Sequence, residues 1–275
     1  MSKDMYEKRV NKFIDKFISQ NKNDLHNTFE VDDLLYLIKD FGDDYYDVSE
    51  KKQNKLTHQI IKHSFRVLNN LRTILLFLKD KGYKFNIGEL NNMTIGAVLH
   101  DVGKVMCESD KKLKDAPHSL IGYLMIKRLF KYDNKLSNYD KCVILEMIKM
   151  HSDKRKDRDK ITIYTKLLRD ADLFDEICGD SLYDLLRDLT TCVNINLNTY
   201  EYDGILELIK ESKSDSTIQK IVKRINVKEN RKLFYRELKK AEAKYNEYFF
   251  KPKCNTTLND IYDEDDTKLS INIEI

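Results

Sequence analysis

Residues 97–105 read AVLHDVGKV, an apolar helical run into which an imidazole and a carboxylate, His100 and Asp101, are set side by side. The same interruption recurs along the chain. His63 fills the gap in a stripe of Ile60, Val67, Leu71, Ile74 and Leu78. Leu90, Met93 and Ala97 lead onto His100 and Asp101, and the stripe continues to Lys104. His118 heads Ile121, Gly122, Met125 and Leu129. Ile144, Met147 and Ile148 lead to His151, and Leu168 and Ala171 lead to Asp172. An ionisable group on a face that should be buried is costly unless it is paired or bound to a metal. Taken singly, each reads most simply as a core side chain bonded to a carbonyl. Five stripes interrupted by His or Asp point instead to a shared divalent ion. Imidazole and carboxylate donors suit Fe, Mn, Co, Ni or Zn.

Those side chains must be carried by helices. The apolar positions recur at 3–4-residue spacing. The 275 residues include only 8 Gly and 2 Pro. Both prolines, Pro117 and Pro252, fall at expected helix edges, so long stretches lack breakers. An all-α chain is predicted. Residues 1–54 read as an N-terminal helical extension, ending near DFGDDYYDVSEKK. Residues 55–180 hold the interrupted stripes, separated by the loops KDKGYKFNIGEL (79–90) and SDKRKDRDK (152–160). Further helices are expected over 181–252, including ENRKLFYRELKKAEAKYNEYFF, packed on that core. Residues 253–275 read as an acidic, loosely ordered tail, in which KLSINIEI alternates like a strand.

His63, the pair His100–Asp101, and Asp172 stand in the order and rough spacing of the HD-domain metal-dependent phosphohydrolases, which this chain resembles. HSFRV (63–67) is similar to that family's first helix, and LHDVGK (99–104) to its name-giving motif. MHSDKRKDRDKITIYTKLLRDADLFDEI (150–177) is similar to its fourth-helix histidine and closing helix. The resemblance covers about 55–180. It implies a helical bundle in which His63, His100, Asp101 and Asp172 hold one divalent metal. His118 and His151 would hold a second, with Asp101 bridging the two. One or two ions per chain are implied, drawn from Fe, Mn, Co, Ni, Zn or Mg. Asp101 and Lys104 would be catalytic. Lys104 would offer positive charge to a phosphate, and Arg66 would either help bind substrate or sit in a surface pair. The activity implied is hydrolysis of a phosphoester or phosphoanhydride in a nucleotide or other small phosphorylated substrate, by a water that the metal activates.

Branches of the family are separable on residues. His151 is followed by Ser152 and no GYP occurs, which disfavours the cyclic-dinucleotide branch. HDVGKV lacks the acidic pair of the alarmone-hydrolysing branch. Every ligand position is kept, unlike in the ligand-free scaffolds. Two alternatives remain: a nucleotide-binding signalling module with weak or no turnover, using the flanking segments, or a nuclease or cyclic-dinucleotide phosphodiesterase. A nucleic-acid partner is disfavoured. The formal net charge is only +3, and Lys154, Arg155, Lys156, Arg158 and Lys160 are interleaved with Asp153, Asp157 and Asp159. The five cysteines are odd in number and scattered, which fits a reducing compartment rather than a disulfide framework. No signal-like apolar core opens the chain, and no run approaches the ~18 apolar residues of a membrane span. A cytoplasmic protein without membrane contact is expected.

Overall fold

The computed structural model describes residues 3–20, 34, 37–41, 50–109, 112–152, 160–178 and 222–237. Among these residues every regular element is a helix and no strand occurs, as the scarcity of breakers predicts. The helices are α1 (Lys3–Gln20), α2 (Glu50–Lys79), α3 (Ile87–Leu99), α4 (Lys104–Ser109), α5 (His118–Leu129), α6 (Asn138–Met150) and α7 (Ile163–Cys178). Residues 230–237 are also helical. The expected loop at 153–159, most of the 181–252 segment and the whole 253–275 tail lie outside the described residues.

Two apolar clusters build the core. The first joins α1, α4 and α5. Val10, Phe13, Ile14, Phe17 and Ile18 of α1 meet Ile121, Met125 and Leu129 of α5 there. Phe17 also faces Phe41, with ring centroids 4.6 Å apart. The second cluster joins Leu167, Leu168, Ala171 and Phe174 of α7 to Ile225, Val227, Leu233 and Phe234. Three helices feed both clusters. From α2, Ile60 enters the first and Val67 the second; from α3, Leu99 and Ala97; from α6, Ile148 and Met147. His63, His100 and His151 lie on or just beyond these three shared helices, so the polar groups sit at the seam between two apolar bodies.

Helix ends are fixed locally. Gly82 closes α2 with φ +89, a left-handed turn that a side chain would disfavour. Asn86 and Glu89 form a reciprocal capping box at the start of α3. The helix therefore begins at Ile87, inside the stretch expected to be loop. A second difference concerns the HD motif. The stripe through His100, Asp101 and Lys104 reads as one helix, yet α3 stops at Leu99 and α4 starts at Lys104. The turn between them brings Gly103 against α5. A Cβ there would lie 2.0 Å from the His118 carbonyl oxygen and 2.5 Å from the Gly122 nitrogen. Only glycine permits that approach.

Candidate metal centre

His63, His100, Asp101, His118, His151 and Asp172 are brought together from α2, the α3–α4 turn, α5, the end of α6, and α7. The arrangement has two halves. On one side, His63 Nε2 lies 3.2 Å from each of His100 Nε2, Asp101 Oδ2 and Asp172 Oδ1. His100 Nε2 lies 3.6 Å from Asp101 Oδ2 and 3.8 Å from Asp172 Oδ1. On the other side, Asp101 Oδ1 is 3.2 Å from His118 Nε2 and 3.4 Å from His151 Nε2. The two imidazoles of that half are 3.1 Å apart. Asp101 thus gives one oxygen to each half.

The tautomers follow from the outer nitrogens. His100 Nδ1 donates to the Ala97 carbonyl and His151 Nδ1 to the Ile148 carbonyl, each at 2.7 Å. Both carbonyls lie three residues back, so each ring is clamped to the helix it ends. His63 Nδ1 donates to Asp175 Oδ2 at 2.7 Å. When these rings are neutral, each Nε2 carries a lone pair aimed inward, at other nitrogens and at carboxylate oxygens. Such an array of acceptors is repulsive unless a cation sits among them.

Charge makes the same demand. Burial pushes His100 down to about 4, so it stays neutral. Burial opposes charge on Asp101, but the imidazoles of His100, His118, His151 and His63 outweigh it and hold the carboxyl well below the usual range. Burial likewise opposes ionisation of Asp172, which His63 and His100 nonetheless bring down to about 2. Burial would lower His63 too, yet Asp101, Asp172 and Asp175 raise it to about 11. The carboxylates of this half recruit positive charge to the point where the donors converge. A divalent cation answers that need. The spacings agree: bonds of about 2.1 Å place neighbouring donors about 3.0–3.4 Å apart in octahedral or tetrahedral sites. The residues therefore fit one ion against His63, His100, Asp101 and Asp172, and another against Asp101, His118 and His151.

Access is one-sided. His100 and His151 are buried, whereas the side chains of His118 and Asp172 are 31% and 33% exposed. Lys104, 35% exposed, places Nζ 2.5 Å from Asp101 Oδ2 at this open edge. Arg66, expected beside substrate or in a surface pair, meets Asp175: Nε to Oδ1 at 2.8 Å and Nη2 to Oδ2 at 3.2 Å. His58, off the stripe pattern, is not among the convergent donors.

Two neighbours escaped sequence reading. Asp175 is buried and holds His63. Its signal was its place one turn beyond Asp172. Arg169 of α7 donates from both Nε and Nη2 to the Met150 carbonyl, securing the end of α6 beside His151. Nothing in its flanking residues distinguished it from a surface arginine.

Comparison with known proteins matches residues 60–177 to the HD domain family model. That stretch of the chain is similar to the HD domain. The matched stretch contains α3 to α6 and nearly all of α7, and every convergent donor. The chain is also 36% identical, over 80 residues, to the CRISPR system single-strand-specific deoxyribonuclease Cas10/Csm1 (subtype III-A) of Methanocaldococcus jannaschii. The match covers 28% of this chain and about a tenth of the length of that relative, 10%. No solved structure matches. The relative's named activity is on single-stranded DNA, so the expectation against a nucleic-acid partner gains no support from it. Among the described residues no helix is long and apolar enough to cross a membrane.

Proposed function

We propose that this HD domain is a metal-dependent phosphohydrolase whose centre takes two divalent ions. The observation that carries this reading is the division of Asp101: Oδ2 faces His63 and His100, and Oδ1 faces His118 and His151. Bound ions would supply Lewis acidity toward a phosphoryl oxygen and a water more acidic than bulk water.

The chain's own groups do the rest. His100 and His151, clamped to Ala97 and Ile148, keep their inner nitrogens bare and fixed. Asp172 and His118 stand at the exposed edge, so substrate approaches over them. Lys104 carries a cation to the same edge on a flexible stem. A phosphate drawn there can exchange with Asp101 for its ammonium, gaining a charge-assisted hydrogen bond.

The bond cleaved is a phosphoester or phosphoanhydride. Small nucleotides are one substrate class. Single-stranded nucleic acid is a second, favoured by the partial match to a single-strand-specific deoxyribonuclease. The test is turnover by the full chain, with Mn²⁺, of bis(p-nitrophenyl) phosphate, nucleotides, and single- and double-stranded oligonucleotides. Hydrolysis of at least one class, abolished by EDTA and restored by Mn²⁺, is expected. Full turnover in chelator contradicts the reading. Cleavage of single strands in preference to nucleotides selects the second substrate class.

A further inference from the structure

Arg66 and Asp175 make a two-residue brace behind the metal-facing side of His63. Asp175 is buried, so its charge must be compensated within the protein. It receives both Arg66 contacts, through Nε and Nη2, and the His63 Nδ1–H. Arg66 lies three residues after His63 on α2, and Asp175 three after Asp172 on α7. The same two helices are pinned further along by Asn70 Nδ2 on the Ala171 carbonyl at 3.2 Å. His100 and His151 are oriented by carbonyls of their own helices, but His63 lies in the interior of α2, where carbonyls are taken by helix bonds. Its outer nitrogen needs a partner from elsewhere.

We propose that Asp175 and Arg66 are positioning residues for the metal centre, an inference that rests on the dimetal reading above. Asp175 holds His63 in the tautomer that leaves Nε2 free to ligate and raises its basicity as a donor. Arg66 fixes the Asp175 carboxylate in its plane through the guanidinium fork and is thereby kept off the substrate. Groups that hold a ligating imidazole from behind typically contribute about 10–100-fold to metal affinity. In Asp175→Asn, the amide can turn its NH₂ toward Nδ1. The proton would then move to Nε2 and block ligation.

Calorimetric titration of the chelator-stripped full chain with Mn²⁺ alone tests this, alongside thermal unfolding of the metal-free proteins. Asp175→Asn is expected to weaken one of the two ions by roughly 10–100-fold while the ion held by His118 and His151 is largely retained. Arg66→Lys keeps the charge but loses the fork, so a smaller loss at the same ion is expected. If Asp175→Asn does not fold, Arg66→Lys decides. Wild-type affinity for both ions in folded variants, with only the unfolding temperature lowered, overturns the proposal. So does Arg66→Lys raising KM for bis(p-nitrophenyl) phosphate with Mn²⁺ affinity unchanged, which would place Arg66 on the substrate. A wild-type chain that binds no Mn²⁺ overturns the dimetal reading and this inference with it; two bound ions insensitive to both variants overturn this inference alone.

Discussion

Asp101 is surrounded at close range: four imidazole Nε2 atoms and the Lys104 ammonium lie within 3.6 Å of its two oxygens. A buried carboxylate is tolerated only where positive charge, from an ammonium or a cation held among such donors, compensates it. Lys104 differs from the imidazoles in one respect. Its ammonium cannot ligate while protonated, so the proposed function assigns it to the phosphate rather than to the ions. A hydrogen bond to a charged group contributes about 1.5–3 kcal/mol, so Lys104→Ala is expected to lower kcat/KM for a phosphodiester by roughly 10–100-fold. Metal content should stay near the wild-type value. Steady-state kinetics paired with elemental analysis of the same preparation checks this. Parallel loss of metal and activity would make Lys104 part of the Asp101 scaffold instead.

At the scale of elements, the break between α3 and α4 decides the geometry. A continuous helix would send His100 and Asp101 to neighbouring positions on one cylinder, with Lys104 a turn further on. The turn at 100–103 instead seats Asp101 over the start of α5, where His118 waits. Gly103 makes the contact close enough. Gly103→Ala would drive a methyl group into backbone atoms of His118 and Gly122, neither of which can rotate away. A cost of at least ~1–3 kcal/mol is expected from such overpacking, read by urea unfolding, together with weakened retention of the ion at His118. Wild-type stability in that variant would contradict the packing described. The apolar stripes made the helices and the inward-facing donors legible in the sequence, because periodicity reports a buried face. The break was not legible: Gly103 reads as a family motif letter, and only the approach of α5 explains its size.

On the scale of the whole molecule, α7 ties three parts together. Asp172 and Asp175 face α2 and the donors, while Asp170, on another face, binds the distant 222–237 segment. Its carboxylate accepts from the Asn226 and Val227 amides and from the Asn226 and Asn230 side chains, at 2.7–3.0 Å. Asp170→Ala would strand these donors around a cavity. The loss should be about 3 kcal/mol or more, measured by denaturant unfolding of the full chain. A change within error would mean that the apolar contacts of Ile225 and Phe234 alone hold the segment. In RDADLFDEI three aspartates look alike. Which faces the convergent imidazoles, which an arginine and which a distant loop depends on helices remote in sequence, so no local pattern separates them. The same limit explains why Arg169 stayed unread.

The division of Asp101 between two ligand sets is tested most directly by counting ions. Elemental analysis of the metal-replete full chain should give about two divalent ions per chain. His118→Ala and His151→Ala should each fall toward one, and Asp101→Ala should fall toward none. A wild-type chain holding a single ion at saturation, or His118→Ala and His151→Ala retaining the full count, would contradict the two-ion centre.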